Sequence, residues 1–292
     1  MNGLSRLTKP YPNGSDATKL NTVDIWLPEP TPATDAAHRN KVWVIYIHGG
    51  AWRDPEVDSK SFAPAINVLR KSSSANSFAG FAAINYRLSS YPQHPRDPSS
   101  PDDPSRNVHH PTHVLDVAHA LLYLQEQYHI DGRYILVGHS AGATMAFQLH
   151  QSLLLGKALP KPSSVLGIAG IYNFESFVES HSGISAYKEI MHNAFPERKS
   201  WDEAAPYSSD RNKETLWEHA PIVVISRSEV DELVEKAQAS FMFERARSMP
   251  KATEVHFLEA SGAHDQIWSS GDILASLVVK TLGLLTTTPK DS

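Results

Sequence analysis

Gly138-His139-Ser140-Ala141-Gly142 sets one serine between two glycines, directly after the apolar run 134–137 and before the helix-like stretch 144–149. A nucleophilic serine needs that context. In G-x-S-x-G it sits on a sharp strand-to-helix turn, the glycines let neighbouring backbone pack closely, and the hydroxyl projects from the top of a sheet. Hydrolysis of an acyl bond also requires a base for the serine proton, an acid to orient that base, and backbone N–H groups for the oxyanion. On such a sheet the acid and then the histidine follow, each on a loop at the carboxyl end of a later strand. The strand-like run 222–225 leads to Asp231, just ahead of a helical pattern, which makes Asp231 the candidate acid. Glu229 and Glu232 compete with it, Glu232 reading better as a first-turn helix charge favoured by the macrodipole. The run ending at Leu258 leads to His264 on a loop of small residues ahead of another helix, and His264 is the candidate general base. Its neighbour Asp265 reads as a helix cap.

The oxyanion donors have a candidate source in His48-Gly49-Gly50-Ala51-Trp52, which follows the strand-like run 42–47. The N–H groups of Gly50 and Ala51, with that of Ala141 after the serine, are the expected donors, and each such donor is worth about 10²–10³ in rate. His48 and Gly49 read as support for this loop, and Trp52 as support and pocket wall. Tyr172 and Phe174 are further aromatic candidates for the wall. The remaining histidines, among them His38, His94, His109, His110, His129, His181, His192 and His219, read as surface or core residues. No pair or triplet has convincing metal-ligand spacing, and no phosphate-binding glycine motif is present. Neither a metal nor another cofactor is expected.

These residues need a scaffold, and the chain offers one in β-rich runs at 23–27, 42–47, 81–86, 134–137, 165–169, 222–225 and 255–258, with helical patterns between them. The alternation predicts a mostly parallel sheet covered on both faces. The clearest helix is 112–127, where Val114, Val117, Ala118, Leu121, Leu122 and Leu124 return at helical spacing after Pro111. Residues 62–69, 232–247 and 273–284 read as further covering helices. Two stretches interrupt the pattern. A proline-rich loop at 91–111 reads as solvated and polar, in a place that would also let it line a site entrance. Residues 174–209 read as a cap insertion. The whole, 1–292, is expected to be one α/β domain.

Composition narrows the function classes. A net charge of -5 gives no footprint for nucleic acid, and Lys280 interrupts the most apolar stretch, 273–285, so no membrane span is expected. The first ten residues lack the apolar core of a secretory signal, and the absence of cysteine rules out disulfides and thiolate chemistry. A cytoplasmic enzyme is the resulting expectation. The sequence leaves the oligomeric state open, with a homodimer among the options.

Taken together, the glycine-flanked serine, the His-Gly-Gly loop and the later acid and histidine resemble the α/β-hydrolase fold, and within it the hormone-sensitive-lipase-like branch. Asn85-Tyr86-Arg87-Leu88-Ser89 looks like the segment that follows a strand in that branch. The resemblance runs from about Val23 to the last helix. More narrowly, residues 48–52 fit the HGGxW motif of the kynurenine formamidases, and residues 138–144 and 228–234 are similar to the fungal form of that family. The family's serine, aspartate and histidine match Ser140, Asp231 and His264, and its oxyanion donors match Gly50 and Ala51. The resemblance implies hydrolysis of N-formyl-L-kynurenine to L-kynurenine and formate, a step of tryptophan breakdown that feeds de novo NAD synthesis. Composition and spacing do not show that substrate. A general short-chain carboxylesterase would use the same residues, and a catalytically dead relative serving as a small-molecule receptor is the reading from another class.

Overall fold

The computed structural model describes residues 3–12, 17–29, 41–154, 156–208, 214–249 and 253–287. The expectations on His38 and residue 209, and on the extreme ends of the 1–292 span, lie outside the described residues. Among those residues, strands β1 (Gly3–Pro10), β2 (Thr22–Glu29), β3 (Val42–Ile47), β4 (Phe78–Ile84), β5 (Tyr134–His139), β6 (Ser164–Ile168), β7 (Ile222–Ser228) and β8 (Glu254–Ala260) form one sheet. Its order is β1-β2-β4-β3-β5-β6-β7-β8, antiparallel at β1–β2 and β2–β4 and parallel from β4 onward.

The buried strands are continuous apolar runs because both faces of the sheet are covered. Side chains alternate across the sheet, so Val44, Tyr46, Ile135 and Val137 face one helical layer while Ile45, Ile47 and Leu136 face the other. The first layer is α1 (Ala63–Leu69) and α9 (Asp272–Thr287). The second holds α2 (Thr112–Tyr128), α3 (Ala141–Gln148) and α7 (Lys236–Arg247). Between β6 and β7 the chain forms α4 (Phe174–Ser180), α5 (Ser185–Ala194) and α6 (Trp201–Ala204), and α8 (Gln266–Ser269) is a single turn ahead of α9.

Strand order determines where a ligand can sit. The chain runs outward from β3 to β4 and then returns to place β5 on the other side of β3, so the topological switch lies between β3 and β5. The crevice beyond the carboxyl ends of those two strands is where open α/β sheets bind ligands. The loop after β3 begins at His48, and the turn after β5 carries Ser140.

Three features depart from the sequence reading or add to it. Strand β1 lacks an apolar alternation because it is a half-exposed edge paired only with β2, and its signal is correspondingly weak. Helix α7 begins at Lys236 rather than 232, because the Asp231 side chain accepts from the N–H groups of Leu233 (2.9 Å) and Val234 (3.0 Å) and holds that stretch as a turn. The proline-rich loop is not simply solvated: His94, Ser99, Ser105 and Arg106 are buried, and its end is bonded to the cap. There, His110 N–H donates to Ala194 O at 2.8 Å, and Asn193 Nδ2 donates to Ser90 O at 3.1 Å.

Candidate active site

Ser140 has φ 53° and ψ -123°, a left-handed backbone that a β-carbon disfavours, at the junction of β5 and α3. Close packing on both sides holds it there. A Cβ on Gly142 would lie 2.1 Å from Ile47 O, and one on Gly138 would lie 2.4 Å from Gly142 O, so only glycine lets the turn sit this tightly on β3. The Ser140 N–H donates to Ile168 O at 2.8 Å, while its own carbonyl accepts from the N–H groups of Ala143 (2.9 Å) and Thr144 (3.1 Å), the first bonds of α3. This geometry is that of a sharp strand-to-helix elbow.

His264 and Asp231 meet although 33 residues separate them. His264 Nδ1 lies 3.0 and 2.9 Å from the two Asp231 carboxylate oxygens, with both side chains almost wholly buried. Burial by itself would raise the Asp231 carboxyl. Its bonds and charge interaction with His264, and the N–H groups of Val234 and Leu233, outweigh that and hold it below the usual carboxylate range. An ionised Asp231 fixes the proton on Nδ1 and leaves Nε2 free to accept one. His139, the residue before the serine, brings its ring within 4.6 Å of the His264 ring, so the histidine loop lies against the elbow.

Glu232 differs from its sequence reading. It lies ahead of α7 rather than in its first turn, and its carboxylate accepts from the His264 N–H at 3.0 Å, so the acid loop grips the base loop at two points. Glu229 pairs with Arg227 and Lys236 and takes no part in the site. Asp265 precedes α8 but makes no capping bond; its carboxylate accepts from Trp268 Nε1 at 3.1 Å.

The loop after β3 lies directly on the elbow. A Cβ on Gly49 would be 3.1 Å from Ser140 Cβ, and the next three residues, Gly50, Ala51 and Trp52, all have positive φ (88°, 49° and 60°). For Ala51 and Trp52 this backbone is strained, and it holds the loop in a tight turn. The turn is closed from behind, where Gly50 O accepts from the N–H groups of Arg53 (2.9 Å) and Asp54 (2.8 Å). Among the described residues, the N–H groups of Gly50, Ala51 and Ala141 donate to no backbone carbonyl.

A cluster of aromatic rings packs around Trp52, at the end of the loop after β3. Trp52 is fully buried against Phe195 at 5.1 Å and Phe174 at 6.5 Å, and Phe174 in turn meets Trp201. The indole N–H of Trp52 is buried without a hydrogen-bond partner among the described residues. The structure places Tyr172 elsewhere, against Phe147 at 5.4 Å under the close-packed Gly167 and Gly170, so it belongs to the core behind the site. Phe195, from the cap, takes the place beside Trp52, and Trp201 packs against Phe174. The signal that could have found them is the clustering of large rings in a cap otherwise rich in charge.

Among the described residues there is one group of potential metal ligands, Asp54, Glu56 and His94, whose ligand atoms lie within 4.8 Å of one another. It is an ion-pair cluster. His94 Nδ1 accepts from the Asp97 N–H at 2.9 Å, which leaves the proton on Nε2 facing Asp54, and the Glu56 carboxylate is taken by Arg96.

The BD-FAE family profile matches residues 23–245. A kynurenine formamidase-like hydrolase, fscH, of Fusarium equiseti is 33% identical over 288 residues, covering 94% of this chain and 94% of its own. The kynurenine formamidase avaC of Aspergillus versicolor is 33% identical over 281 residues, covering 89% of this chain and 94% of its own. Among solved structures, carboxyl esterase 2 of Tuber melanosporum superposes with TM-score 0.66 at 17% identity, covering 96% of this chain and 85% of that one. An inhibited esterase B of Lactobacillus rhamnosis gives 0.67 at 14% identity, with 98% and 87% coverage, and these two likenesses speak to the fold.

Proposed function

The chain belongs to the BD-FAE family and to the kynurenine formamidase-type α/β-hydrolases, and from that membership we propose that it hydrolyses N-formyl-L-kynurenine to L-kynurenine and formate through a formyl-serine. It is a hydrolase. What supports the reading is the strained Ser140 lying against the loop after β3, with the Asp231–His264 pair beside it through the contact of the His139 and His264 rings.

In this mechanism Ser140 Oγ attacks the formyl carbon as His264 Nε2 takes its proton, with Asp231 holding the imidazole tautomer. The oxyanion forms beneath the N–H groups of Gly50, Ala51 and Ala141. When the C–N bond breaks, His264 returns the proton to the departing arylamine. Water activated by the same histidine then splits the formyl ester, releasing formate and regenerating the serine. In this reading Trp52 and Phe174, packed with Phe195 and Trp201, are the aromatic candidates for the wall that meets the aniline ring.

Among the described residues no helix is long and apolar enough to cross a membrane. A cytoplasmic setting, with a small molecule as the substrate, completes the reading. The test is loss of N-formyl-L-kynurenine with appearance of kynurenine, for the wild type and Ser140→Ala side by side. Turnover abolished in the variant supports substrate and nucleophile together. Cleavage of p-nitrophenyl acetate without turnover of the formamide would move the protein to the short-chain carboxylesterases, and failure to react with a fluorophosphonate would point to a catalytically dead receptor.

A further inference from the structure

Glycines flank both sides of one peptide in the loop after β3, the bond between Gly49 and Gly50. Because a peptide is planar and trans, the Gly49 carbonyl and the Gly50 N–H point in opposite directions and turn together. Glycine adopts either sign of φ at little cost, so nothing intrinsic to this segment prefers the orientation that aims the Gly50 N–H at the site. Rotated by half a turn, the same peptide would aim a carbonyl oxygen at the developing oxyanion. The choice between the two faces must come from outside the loop.

Two side chains make it. Tyr86 Oη donates to Gly49 O at 2.8 Å, with His48 O as a longer second acceptor at 3.1 Å, and His48 Nδ1 lies 2.9 Å from the same Gly49 oxygen. The two rings stack on one another, centroids 4.3 Å apart and 14° from parallel. Both are buried, Tyr86 at 1% and His48 at 2% exposure, so their bonds to Gly49 face no competition from bulk water. Burial raises the Tyr86 phenol well above its ordinary range and pushes His48 down to about 4, which keeps the phenol proton in place and the imidazole neutral at neutral pH.

Tyr86 is itself held on both sides. Tyr11 Oη donates to Asn85 O at 2.7 Å. Arg87 makes a bidentate pair with the fully buried Asp116 at 2.7 and 2.9 Å, and the Ser89 N–H donates to Trp52 O at 2.8 Å. The segment 85–89 is thus a rigid bracket that starts at the end of β4, on the opposite side of β3 from the elbow, and reaches back to the loop it supports.

We infer that Tyr86, with His48, is a positioning pair that holds the Gly49–Gly50 peptide in the one orientation that presents the Gly50 N–H to the oxyanion. This rests on the assignment of Ser140 as nucleophile and deepens it. Neither ring touches the reacting atoms; their effect passes through one peptide plane.

The variant that isolates the contribution is Tyr86→Phe, which keeps the stacked ring and removes only the donor. Wild type and variant are compared on N-formyl-L-kynurenine and on p-nitrophenyl acetate, with kcat expressed per site titrated by a fluorophosphonate, and on binding of an aryl trifluoromethyl ketone, which forms an oxyanion on attack by the serine. The expected result is a fall in kcat of about tenfold or more, part of the 10²–10³ that a single oxyanion donor is worth. KM stays within about twofold, and the ketone loses affinity by the same factor as kcat/KM. A purely structural role would lower the titratable fraction and leave kcat per site and ketone affinity unchanged, and that outcome overturns the inference. If Tyr86→Phe does not fold, His48→Leu should show the same split and His48→Asn, which restores an N–H beside Gly49 O, should recover part of it; equal activity of the two overturns the inference. Should the wild type cleave only the ester, the substrate reading fails while the ester and ketone data still decide the role of Tyr86.

Discussion

Arg53 donates to Glu189 at 2.7 Å, and this one bond ties the loop after β3 to helix α5 of the cap. The Arg53 guanidinium also lies 3.9 Å over the Tyr91 ring, so a single side chain joins the loop after β3, the cap and the start of the proline-rich loop. Its side chain is 6% exposed against 42% for Glu189, which makes the two ends of the pair unequal in consequence.

Removing the exposed end should cost little. Glu189→Gln keeps an acceptor for Arg53 and loses a solvent-screened charge, an effect of about 1 kcal/mol or less. Arg53→Ala removes the contact with Tyr91 as well and should cost about 1–3 kcal/mol in urea unfolding while raising KM, because cap and loop lose a common tether. Equal effects of the two substitutions would show that the guanidinium–ring contact contributes nothing.

Asp231→Asn should fold normally and lose activity on the order of 10⁴ in kcat, since an amide no longer fixes the imidazole tautomer. Glu232→Gln should be far milder, because it weakens one bond to the His264 N–H and leaves the Nδ1 contact intact. Steady-state kinetics with circular dichroism on the same samples checks both. An Asp231→Asn variant within tenfold of wild type would reassign the acid.

Two buried histidines make stability sensitive to mild acid. Burial pushes His48 down to about 4, and burial together with the charges of His110, His109 and Arg87 pushes His113 down to about 3, from an ordinary value of 6.5. Between those values and 6.5 the unfolded chain binds protons that the folded chain refuses, so stability is full above pH 6.5 and declines as the pH falls toward 4. The loss is on the order of 3 kcal/mol for each site. Urea midpoints from pH 7.5 to 4 should fall accordingly, and His113→Gln should flatten the slope. A slope unchanged in that variant would contradict the assignment.

Gly142→Ala should be among the most damaging single-atom additions available. The new methyl would meet Ile47 O at 2.1 Å and His48 O at 2.6 Å, both backbone atoms with no rotamer to change. A loss of about 3 kcal/mol or more is expected from overpacking, with collapse of activity, whereas Gly132→Ala, where the space is open, pays only for its positive φ. Calorimetric melting of the two variants compares them directly.

Much of this arrangement is readable in the residues because several signals agree at once. Ser140 lies at the end of an apolar run, between glycines that prove to be sterically required, and β3, β5, β6 and β7 each carry a continuous apolar run because they are covered on both faces. The half-exposed β1 and the turn at 231–235 are harder to read: an edge strand carries a weak pattern, and a side chain accepting from two N–H groups can delay a helix that propensity would start sooner. The aromatic cluster around Trp52 is only partly legible. Phe195 reaches Trp52, and Trp201 reaches Phe174, through the folding of the cap, a long-range effect that no local periodicity encodes, and the same is true of the bond from Tyr86 to Gly49 across 37 residues.

Helix α7 holds the first residues of the cap in a single grip. Gln238, fully buried, accepts from the N–H groups of Tyr172 (2.7 Å) and Asn173 (2.8 Å) and donates to Asn173 O at 3.0 Å, just where the chain leaves β6 for α4. One amide group thereby acts as a keyed socket for everything from 174 to 204. The segment is modular in outline but not freely exchangeable: a cap grafted from another hydrolase would need both a matching pair of backbone groups at its root and a glutamine, or its equal in reach, waiting on the helix that follows Asp231.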